Sequence, residues 1–326
     1  MTAATPVLEV RNLKKHFPVT SGLIWQKVVG WVQAVDGVDF SVPPGQTMAL
    51  VGESGCGKTT TAKLVLRLEE PSAGEVFADG RNVHEIEGEQ LKEFRTTVQA
   101  VFQDPWSSLP PRMRVRDIVA EPLIINRVAS PSEIKERVAE ALVSVGLRPQ
   151  QADLFPHEFS GGQRQRIGIA RALTVNPWFV ICDEPISSLD VSIQSQIVNL
   201  LRRLQRELNL TYLFISHDLS MVRYISDRMA VMYLGKIVEL GESKTVLRLP
   251  LHPYTQALWS AVPIPDPEVE ETRERIVLEG DVPSPIDPPI GCNFCTRCPK
   301  VMAVCKDVEP ELREVEPGRP VACHLY

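Results

Sequence analysis

The chain of 326 residues lacks several features that are typical of membrane-spanning, secreted, nucleic-acid-binding and coiled-coil proteins. No apolar run approaches the roughly 18–20 residues that a membrane helix needs, and the first residues lack the pattern of a secretory signal. A basic excess is also missing, because 35 Lys and Arg face 41 Asp and Glu, and the net charge of −6 argues against nucleic acid as the main partner. Sustained heptads are absent, so a long coiled coil is excluded. A hydrophobic content of 44% is ordinary for a globular protein of one large or two modest domains.

The most informative local feature is a glycine-rich loop between an apolar run and a helical pattern. Residues 48–51 predict a buried strand, and residues 60–68 predict a helix. The loop between them consists of Gly52, Glu53, Ser54, Gly55, Cys56, Gly57, Lys58 and Thr59. Glycines let backbone N–H groups turn toward a β-phosphate, Lys58 reaches the β- and γ-phosphates, and the Thr59 hydroxyl is suited to ligate Mg²⁺. The sequence therefore predicts a nucleotide-phosphate site.

Two acidic residues end a second apolar run. Residues 179–182 predict a buried strand, which delivers Asp183 and Glu184 at its carboxyl end, where ligands collect in open α/β sheets. Asp183 is the better partner for Mg²⁺, and Glu184 is the better candidate to orient or deprotonate an attacking water. Two surface acids at a solvated strand end would be the alternative, but the phosphate-binding loop favours the catalytic interpretation.

A third motif, Ser160 to Gln163, predicts the start of a helix that runs from about Gly161 to Thr174. Ser160 is suited to cap this helix, while Gly161 and Gly162 permit close approach to its amide end. This end is a second candidate anion site. Polar residues 163–166 together with Arg171 predict a polar face for the same helix.

Together these motifs resemble those of ABC importer ATPases, specifically the oligopeptide/dipeptide group, over about residues 6–250. Residues 159–163 resemble the signature motif, and residues 187–190 resemble the D-loop. Gln103 resembles the Q-loop glutamine, and His217 resembles the switch histidine. A lone histidine after an apolar strand is more often structural, but its position after the D-loop favours the family role.

The resemblance implies the residues that bind ATP and Mg²⁺. Glu184, His217 and Gln103 would be catalytic, and Thr59, Gln103 and Asp183 would surround Mg²⁺. The remaining nucleotide contacts would be Phe17, Gly52, Ser54, Gly55, Cys56, Gly57, Lys58 and Thr60, with Ser160, Gly161, Gly162 and Gln163 facing the nucleotide of a second subunit. Phe17 would stack on adenine, although core packing is an equally open alternative for it.

The implied fold is an α/β P-loop NTPase cassette with a RecA-like core, an antiparallel β subdomain and a helical subdomain. The cassette would span residues 6–258, with the helical subdomain at about 104–160. Within that subdomain, Ser130, Pro131 and Glu133 predict a capped helix start, and Gly146 predicts its end. A loop at 19–32 would interrupt the strands of residues 7–42. Its apolar side chains are either a partner or membrane-surface contact or part of the domain's own sheet packing.

The resemblance also implies an assembly. A second ABC ATPase subunit, as a hetero- or homodimer, would pair with this chain beneath two membrane-spanning permease subunits fed by an extracytoplasmic solute-binding protein. The chain would lie peripherally at the cytoplasmic face of the inner membrane and would not bind nucleic acid. Three alternatives stay open: another cargo of the group such as nickel or sugars, a soluble ABC ATPase without a transport role, and an ATP-binding subunit that does not hydrolyse ATP.

Residues 259–326 resemble the C-terminal domain of the same group and concentrate five of the seven cysteines. A cytosolic chain has little reason to accumulate disulfides, so metal is the favoured interpretation. The family pattern matches Cys292, Cys298, Cys305 and Cys323, which in some members hold a [4Fe–4S] cluster. Cys295 departs from that pattern and is an alternative ligand. Zn²⁺ on four thiolates and a set of free buried thiols are the competing interpretations.

Overall fold

A computed structural model describes residues 5–22, 27–103, 109–263 and 275–326. These residues group into two compact units. The first unit contains the residues up to Leu8 together with Val42–Thr47 and Ala78–Ile215, and the second contains Glu9–Ser41, Met48–Phe77 and Ser216–Tyr326. Within the described ranges, no helix has both the length and the apolar character to cross a membrane.

The first unit combines a parallel sheet with a group of helices. The strands of this unit are β5 (Arg81–Asn82), β6 (Val98–Val101), β7 (Phe179–Asp183) and β8 (Thr211–Ser216), of which β6, β7 and β8 form the parallel sheet. Its helices are α2 (Gly88–Thr97), α3 (Val115–Asn126), α4 (Pro131–Ser144), α5 (Gly161–Leu173) and α6 (Val191–Leu208). β7 lies between β6 and β8 and pairs in parallel with both. Every residue of β7 is buried, as the apolar run predicted.

The helices between Gln103 and the signature motif form the expected helical part of this unit. α3 and α4 each pack on α5. The Ser130 N–H donates to Glu133 Oε2 at 2.7 Å, so α4 starts at the predicted capping box. Gly146 follows its end with a φ of 78°, and the Leu147 N–H donates to the carbonyl of Leu142.

The second unit contains the phosphate-binding loop and the last part of the chain, of which residues 249–263 and 275–326 are called here the C-terminal segment. Its strands are β1 (Leu8–Ser21), β2 (Lys27–Val42), β3 (Thr47–Val51), β4 (Ala73–Ala78), β9 (Arg228–Tyr233), β10 (Lys236–Glu242), β11 (Arg313–Glu316) and β12 (Arg319–Val321). Its helices are α1 (Lys58–Val65), α7 (Leu219–Ile225), α8 (Ser243–Arg248), α9 (Pro253–Ser260) and α10 (Val304–Asp307). β2, β1 and β4 are neighbours in one sheet; β3 pairs in parallel with β9, and β10 is antiparallel to both β9 and β12.

The described part of the predicted loop at 19–32 is largely strand. β1 continues to Ser21 and β2 already begins at Lys27, because backbone pairing in the β2–β1 sheet extends beyond the apolar pattern used to predict the strand ends. Trp31 lies on β2 with 51% of its surface exposed, so packing on its own sheet buries only part of the ring. Leu23, Ile24 and Trp25 fall outside the described residues.

Candidate nucleotide site and its C-terminal contact

The phosphate-binding loop has the predicted strand–loop–helix context. β3 is buried throughout, and α1 begins at Lys58. Gly52 and Gly57 have φ values of 154° and 110°, in the range that favours glycine. A Cβ at Gly52 would lie 2.2 Å from the carbonyl oxygen of Met232, and one at Gly57 would lie 2.2 Å from that of Ala34. The close approach of two neighbouring backbones therefore excludes any side chain at either position.

Lys58 is buried, and its ammonium group lies inside the loop. Nζ donates to the carbonyl oxygens of Gly52 at 2.8 Å and Glu53 at 2.9 Å. Ser54, Gly55 and Thr59 are exposed, so this side of the loop is open to solvent. Cys56 is 5% exposed, and burial raises the pKa of its thiol, as expected for a packing residue.

The parallel strands of the first unit bring the acidic residues and the Q-loop residue to one sheet edge. Val101 of β6 lies opposite Cys182 of β7. Gln103 and Glu184 each come two residues later, just beyond the same edge of the sheet. Asp183 is 7% exposed at the end of β7 and pairs in register with Ile215 of β8. Gln103 is exposed directly beyond β6.

Glu184 adopts an uncommon backbone conformation. Its φ is 48°, a left-handed value that is rare for a residue with a side chain and that clusters at functional sites. Its N–H donates to the Ile215 carbonyl at 3.0 Å, and its carbonyl accepts from both the N–H and the hydroxyl of Ser187. The turn into the D-loop motif therefore holds the Glu184 backbone from both sides.

The signature motif starts α5 as predicted. Ser160 Oγ accepts from the Gln163 N–H at 3.4 Å, and Gln163 Oε1 accepts from the Ser160 N–H at 3.0 Å, a reciprocal capping box. A Cβ at Gly162 would come within 2.5 Å of Ile193 Cγ2, whereas one at Gly161 would lie 3.3 Å from Leu189 Cδ2. Gly162 is thus required for close packing on α6.

The predicted polar face of α5 is wrong in part. Arg164 and Gln165 are only 4% and 2% exposed. Arg164 Nε donates to the Pro156 carbonyl at 2.7 Å, so the guanidinium stabilises the turn before the helix. Arg166 likewise donates to the Val145 carbonyl, at the end of α4. Charge alone did not reveal that these arginines satisfy backbone carbonyls.

His217 and Phe17 are two further residues of the predicted nucleotide site. His217 directly follows β8 and is exposed. Its neighbour Asp218 caps α7, because Oδ1 accepts from the Ser220 N–H at 2.8 Å. Phe17 lies half-buried on β1 with the Lys15 ammonium 4.8 Å from its ring centre. Adenine stacking by Phe17 stays a prediction.

A buried ion pair attaches the end of the chain to β10. Glu239 of β10 has no exposed surface, and Arg319 of β12 lies 3.3 Å from its carboxylate. Glu239 also accepts from the backbone N–H groups of Leu251 and His252. Burial lowers the pKa of His252 to about 3, so its neutral ring caps α9 by accepting from the Tyr254 N–H at 3.1 Å.

This C-terminal segment contacts the phosphate-binding loop at Glu53, which the sequence analysis missed. The Tyr254 hydroxyl accepts from the Glu53 N–H at 2.9 Å. Arg297 donates through both Nη atoms to the Glu53 carboxylate, at 2.8 Å and 3.2 Å, and this contact raises the pKa of the guanidinium. Some 200 residues or more separate these partners along the chain, so no local pattern could have found them.

The five C-terminal cysteines are neighbours but do not form a recognisable ligand group. Burial raises the pKa of the Cys292 thiol to about 12, and the charges of Cys305, Cys295 and Cys323 act in the same direction. Burial also raises the pKa values of the Cys298 and Cys323 thiols, and the charge of Cys305 acts in the same direction. In the part of the chain that the structure describes, no group of three or more His, Cys, Asp or Glu has an arrangement that could hold a metal ion. The structure thus does not confirm the cluster or the zinc site.

Two family profiles match the chain. The profile described as ABC transporter matches residues 35–187, which include the phosphate-binding loop, the signature motif and both acids. The profile described as Oligopeptide/dipeptide transporter, C-terminal region, matches residues 238–305. The second match contains Tyr254, Arg297 and four of the five clustered cysteines.

The chain is similar over its full length to curated relatives. It is 54% identical over 329 residues to the oligopeptide transport ATP-binding protein AppF of Bacillus subtilis, with 100% of both chains covered. It is 48% identical over 308 residues to the oligopeptide transport ATP-binding protein OppF of Salmonella typhimurium, covering 94% of this chain and 92% of that protein.

Solved structures agree with this similarity. A dimeric post-hydrolysis structure of the ATP-binding cassette MJ0796 with ADP and Pi is 27% identical, has a TM-score of 0.63 and covers 72% of this chain and 98% of its own. Fold and motifs thus define an ATP-binding cassette ATPase. The chain belongs to the family of ABC transporter ATP-binding proteins of the oligopeptide group.

The tight contact at Gly162 makes a testable prediction about stability. Gly162→Ala should lower the free energy of unfolding by about 1–3 kcal/mol, because the new Cβ overlaps Ile193 and over-packs the α5–α6 contact. Gly161→Ala is the matched control, and its looser contact with Leu189 should leave stability within about 1 kcal/mol of the wild type. Denaturant unfolding of both variants measures the difference; equal values would contradict the packing role of Gly162.

Proposed function

We propose that this chain is the ATP-hydrolysing subunit that energises an importer of oligopeptides. The observation that carries the proposal is the full-length similarity to oligopeptide transport ATP-binding proteins, at 54% and 48% identity. It coincides with an intact phosphate-binding loop around Lys58 and with acidic residues at the end of β7. No observation favours nickel, sugars or a soluble role.

Lys58 binds the β- and γ-phosphates of ATP in this proposal. Its Nζ donates to the carbonyls of Gly52 and Glu53, so the ammonium lies inside the loop that would surround the phosphates. Backbone N–H groups of the loop and the start of α1 would bind the same anion. Phe17 would stack on adenine, and Thr60 would lie beside the phosphates on the first turn of α1.

Thr59, Gln103 and Asp183 are the residues proposed to surround Mg²⁺, and all three supply the oxygen atoms that this ion prefers. Mg²⁺ neutralises developing charge on the phosphates when it is bound. Glu184 would orient or deprotonate the attacking water, and His217 would contact the γ-phosphate. The strained backbone of Glu184 supports its role, because such conformations persist where surrounding contacts over-determine them.

The signature residues Ser160, Gly161, Gly162 and Gln163 would complete the site of a second ABC ATPase subunit. The capped, solvent-exposed Ser160 at the start of α5 supports this proposal, because helix N-termini bind anions. The related cassette MJ0796 forms a dimer. ATP would join the two subunits, and hydrolysis would separate them.

We further propose the cassette and C-terminal domains at 6–258 and 259–326, and an assembly at the cytoplasmic face of the membrane. Two permease subunits and an extracytoplasmic solute-binding protein would complete it. The names of the full-length relatives support a transport role, and the helices α3 and α4 are the proposed contact for the permeases. Ile124 and Ile125 of α3 are 56% and 69% exposed, as a contact surface requires.

The cysteine-rich end stays a proposal of its own. Donor chemistry supports a [4Fe–4S] cluster on Cys292, Cys298, Cys305 and Cys323, with Cys295 as an alternative ligand. When bound, a cluster would cross-link the deprotonated side chains of cysteines that lie near one another in the second unit. Zn²⁺ on four thiolates is the competing proposal.

Removing the proposed catalytic carboxylate should abolish turnover without preventing ATP binding. Glu184→Gln keeps the side-chain shape but loses the base, so ATPase activity of the assembled importer should fall about 10²–10⁴-fold. Steady-state phosphate release measures this loss, with exposed Glu207→Gln on α6 as the control. Near-normal hydrolysis by Glu184→Gln would remove Glu184 from the catalytic role.

Lys58→Ala should weaken ATP binding by roughly 10- to 100-fold, since hydrogen bonds to charged groups contribute about 1.5–3 kcal/mol. The matched control is Lys63→Ala, which removes an exposed lysine from the same helix. Titration calorimetry with ATP measures both affinities. Unchanged binding by Lys58→Ala would contradict the assignment of the loop.

Metal analysis of protein purified without oxygen distinguishes the proposals for the cysteines. A cluster predicts about four iron atoms with matching acid-labile sulfide per chain, and Cys305→Ser should reduce both. One zinc per chain without iron would support the competing site. Absence of both metals would contradict each of these proposals and leave a set of free thiols.

A further inference from the structure

We propose that Arg297 is a positioning residue for ATP binding, which acts on the phosphate-binding loop by holding and neutralising Glu53. Arg297 belongs to the C-terminal segment, so this segment would set the ATP affinity of the cassette. The inference rests on ATP binding by the loop around Lys58.

Every polar group of Glu53 takes part in a contact. Its N–H donates to the Tyr254 hydroxyl, its carbonyl accepts from Lys58 Nζ, and its carboxylate accepts from both Nη atoms of Arg297. Glu53 thus joins the C-terminal segment directly to the lysine that would bind the phosphates. A shift of Glu53 would therefore move its carbonyl oxygen, and with it one of the hydrogen-bond partners of Lys58 Nζ.

The Glu53–Arg297 contact differs from an ordinary surface ion pair. The Arg297 side chain is 9% exposed and that of Glu53 is 29% exposed. Exposed pairs contribute little because water and salt screen them. A bidentate guanidinium–carboxylate contact with one nearly buried partner is stronger and fixes geometry as well as charge.

The arginine is itself held by a buried aromatic anchor. The Arg297 N–H donates to the Phe294 carbonyl at 3.1 Å, which places both residues in one turn. Phe294 is 1% exposed, and its ring centre lies 5.2 Å from that of Tyr233 and 5.4 Å from that of Tyr254. Phe294 therefore helps to position both Tyr254 and Arg297, the two residues that contact Glu53.

Charge gives the direction of the effect. ATP brings several negative charges to a loop that contains the Glu53 carboxylate. Arg297 neutralises that carboxylate, so its removal leaves an unpaired negative charge on the loop. ATP is also negatively charged, so the unpaired carboxylate should repel it and weaken its binding.

The test is ATP affinity of the full-length chain, measured by titration calorimetry. Arg297→Gln should raise the Kd for ATP about tenfold. Arg297→Lys should raise it less, because lysine keeps the positive charge but cannot donate two parallel hydrogen bonds to the carboxylate. The double variant Glu53→Gln/Arg297→Gln should bind ATP more tightly than Arg297→Gln alone, since the unpaired carboxylate is gone. In the assembled importer, Arg297→Gln should raise KM for ATP and leave kcat within about twofold.

Lys300→Gln is the matched control. Lys300 lies three residues from Arg297 and donates to Gln256 Oε1 at 3.1 Å, and its loss should leave ATP affinity unchanged. Thermal unfolding and metal content of each variant separate a local effect from a damaged C-terminal segment. Wild-type affinity in Arg297→Gln, or an equal loss in Lys300→Gln, would overturn the inference. If Lys58→Ala also left ATP binding unchanged, the proposed function itself would fail.

Discussion

The close approach of neighbouring backbones at the phosphate-binding loop is the constraint on which the nucleotide site depends. The carbonyl oxygens of Met232 and Ala34 occupy the space where side chains of Gly52 and Gly57 would lie. The Cys56 carbonyl accepts from the Gly235 N–H at 2.9 Å, which ties the same loop to the turn between β9 and β10. With the loop held this closely, Lys58 can be buried and still keep its ammonium on loop carbonyls. A loop held in one conformation by such contacts lowers the ordering cost of binding a ligand.

The C-terminal segment extends this constraint. Arg319 and Glu239 form a buried ion pair that brings β12 against β10, and the same carboxylate accepts from the backbone ahead of α9. α9 in turn presents Tyr254 to Glu53. The C-terminal segment is therefore tied to the phosphate-binding loop, because Tyr254 and Arg297 both contact Glu53, the residue next to Gly52.

Much of the cassette could be predicted from sequence because its chemistry is local. A strand, a glycine-rich loop and a helix within 20 residues suffice to predict a phosphate site, and the capping boxes at Ser130 and Ser160 lie within four residues of their partners. Predictions failed where a partner lies outside the helix or strand that was predicted. The burial of Arg164 depends on the Pro156 carbonyl at a turn, and β1 and β2 extend beyond their apolar pattern through pairing with each other.

The sequence by itself determined the motif order, the helix starts, the strand–loop–helix at Lys58 and the gathering of five cysteines near the C-terminus. These features follow from residue types at short spacing, which act through backbone conformation and local hydrogen bonds. Only the tertiary structure decided that Gly162 serves packing against Ile193, that His252 is a neutral buried cap, and that Arg297 contacts Glu53. Gly162 and Arg297 contact residues that are distant in the chain, and the burial of His252 depends on chain folding and not on local preference.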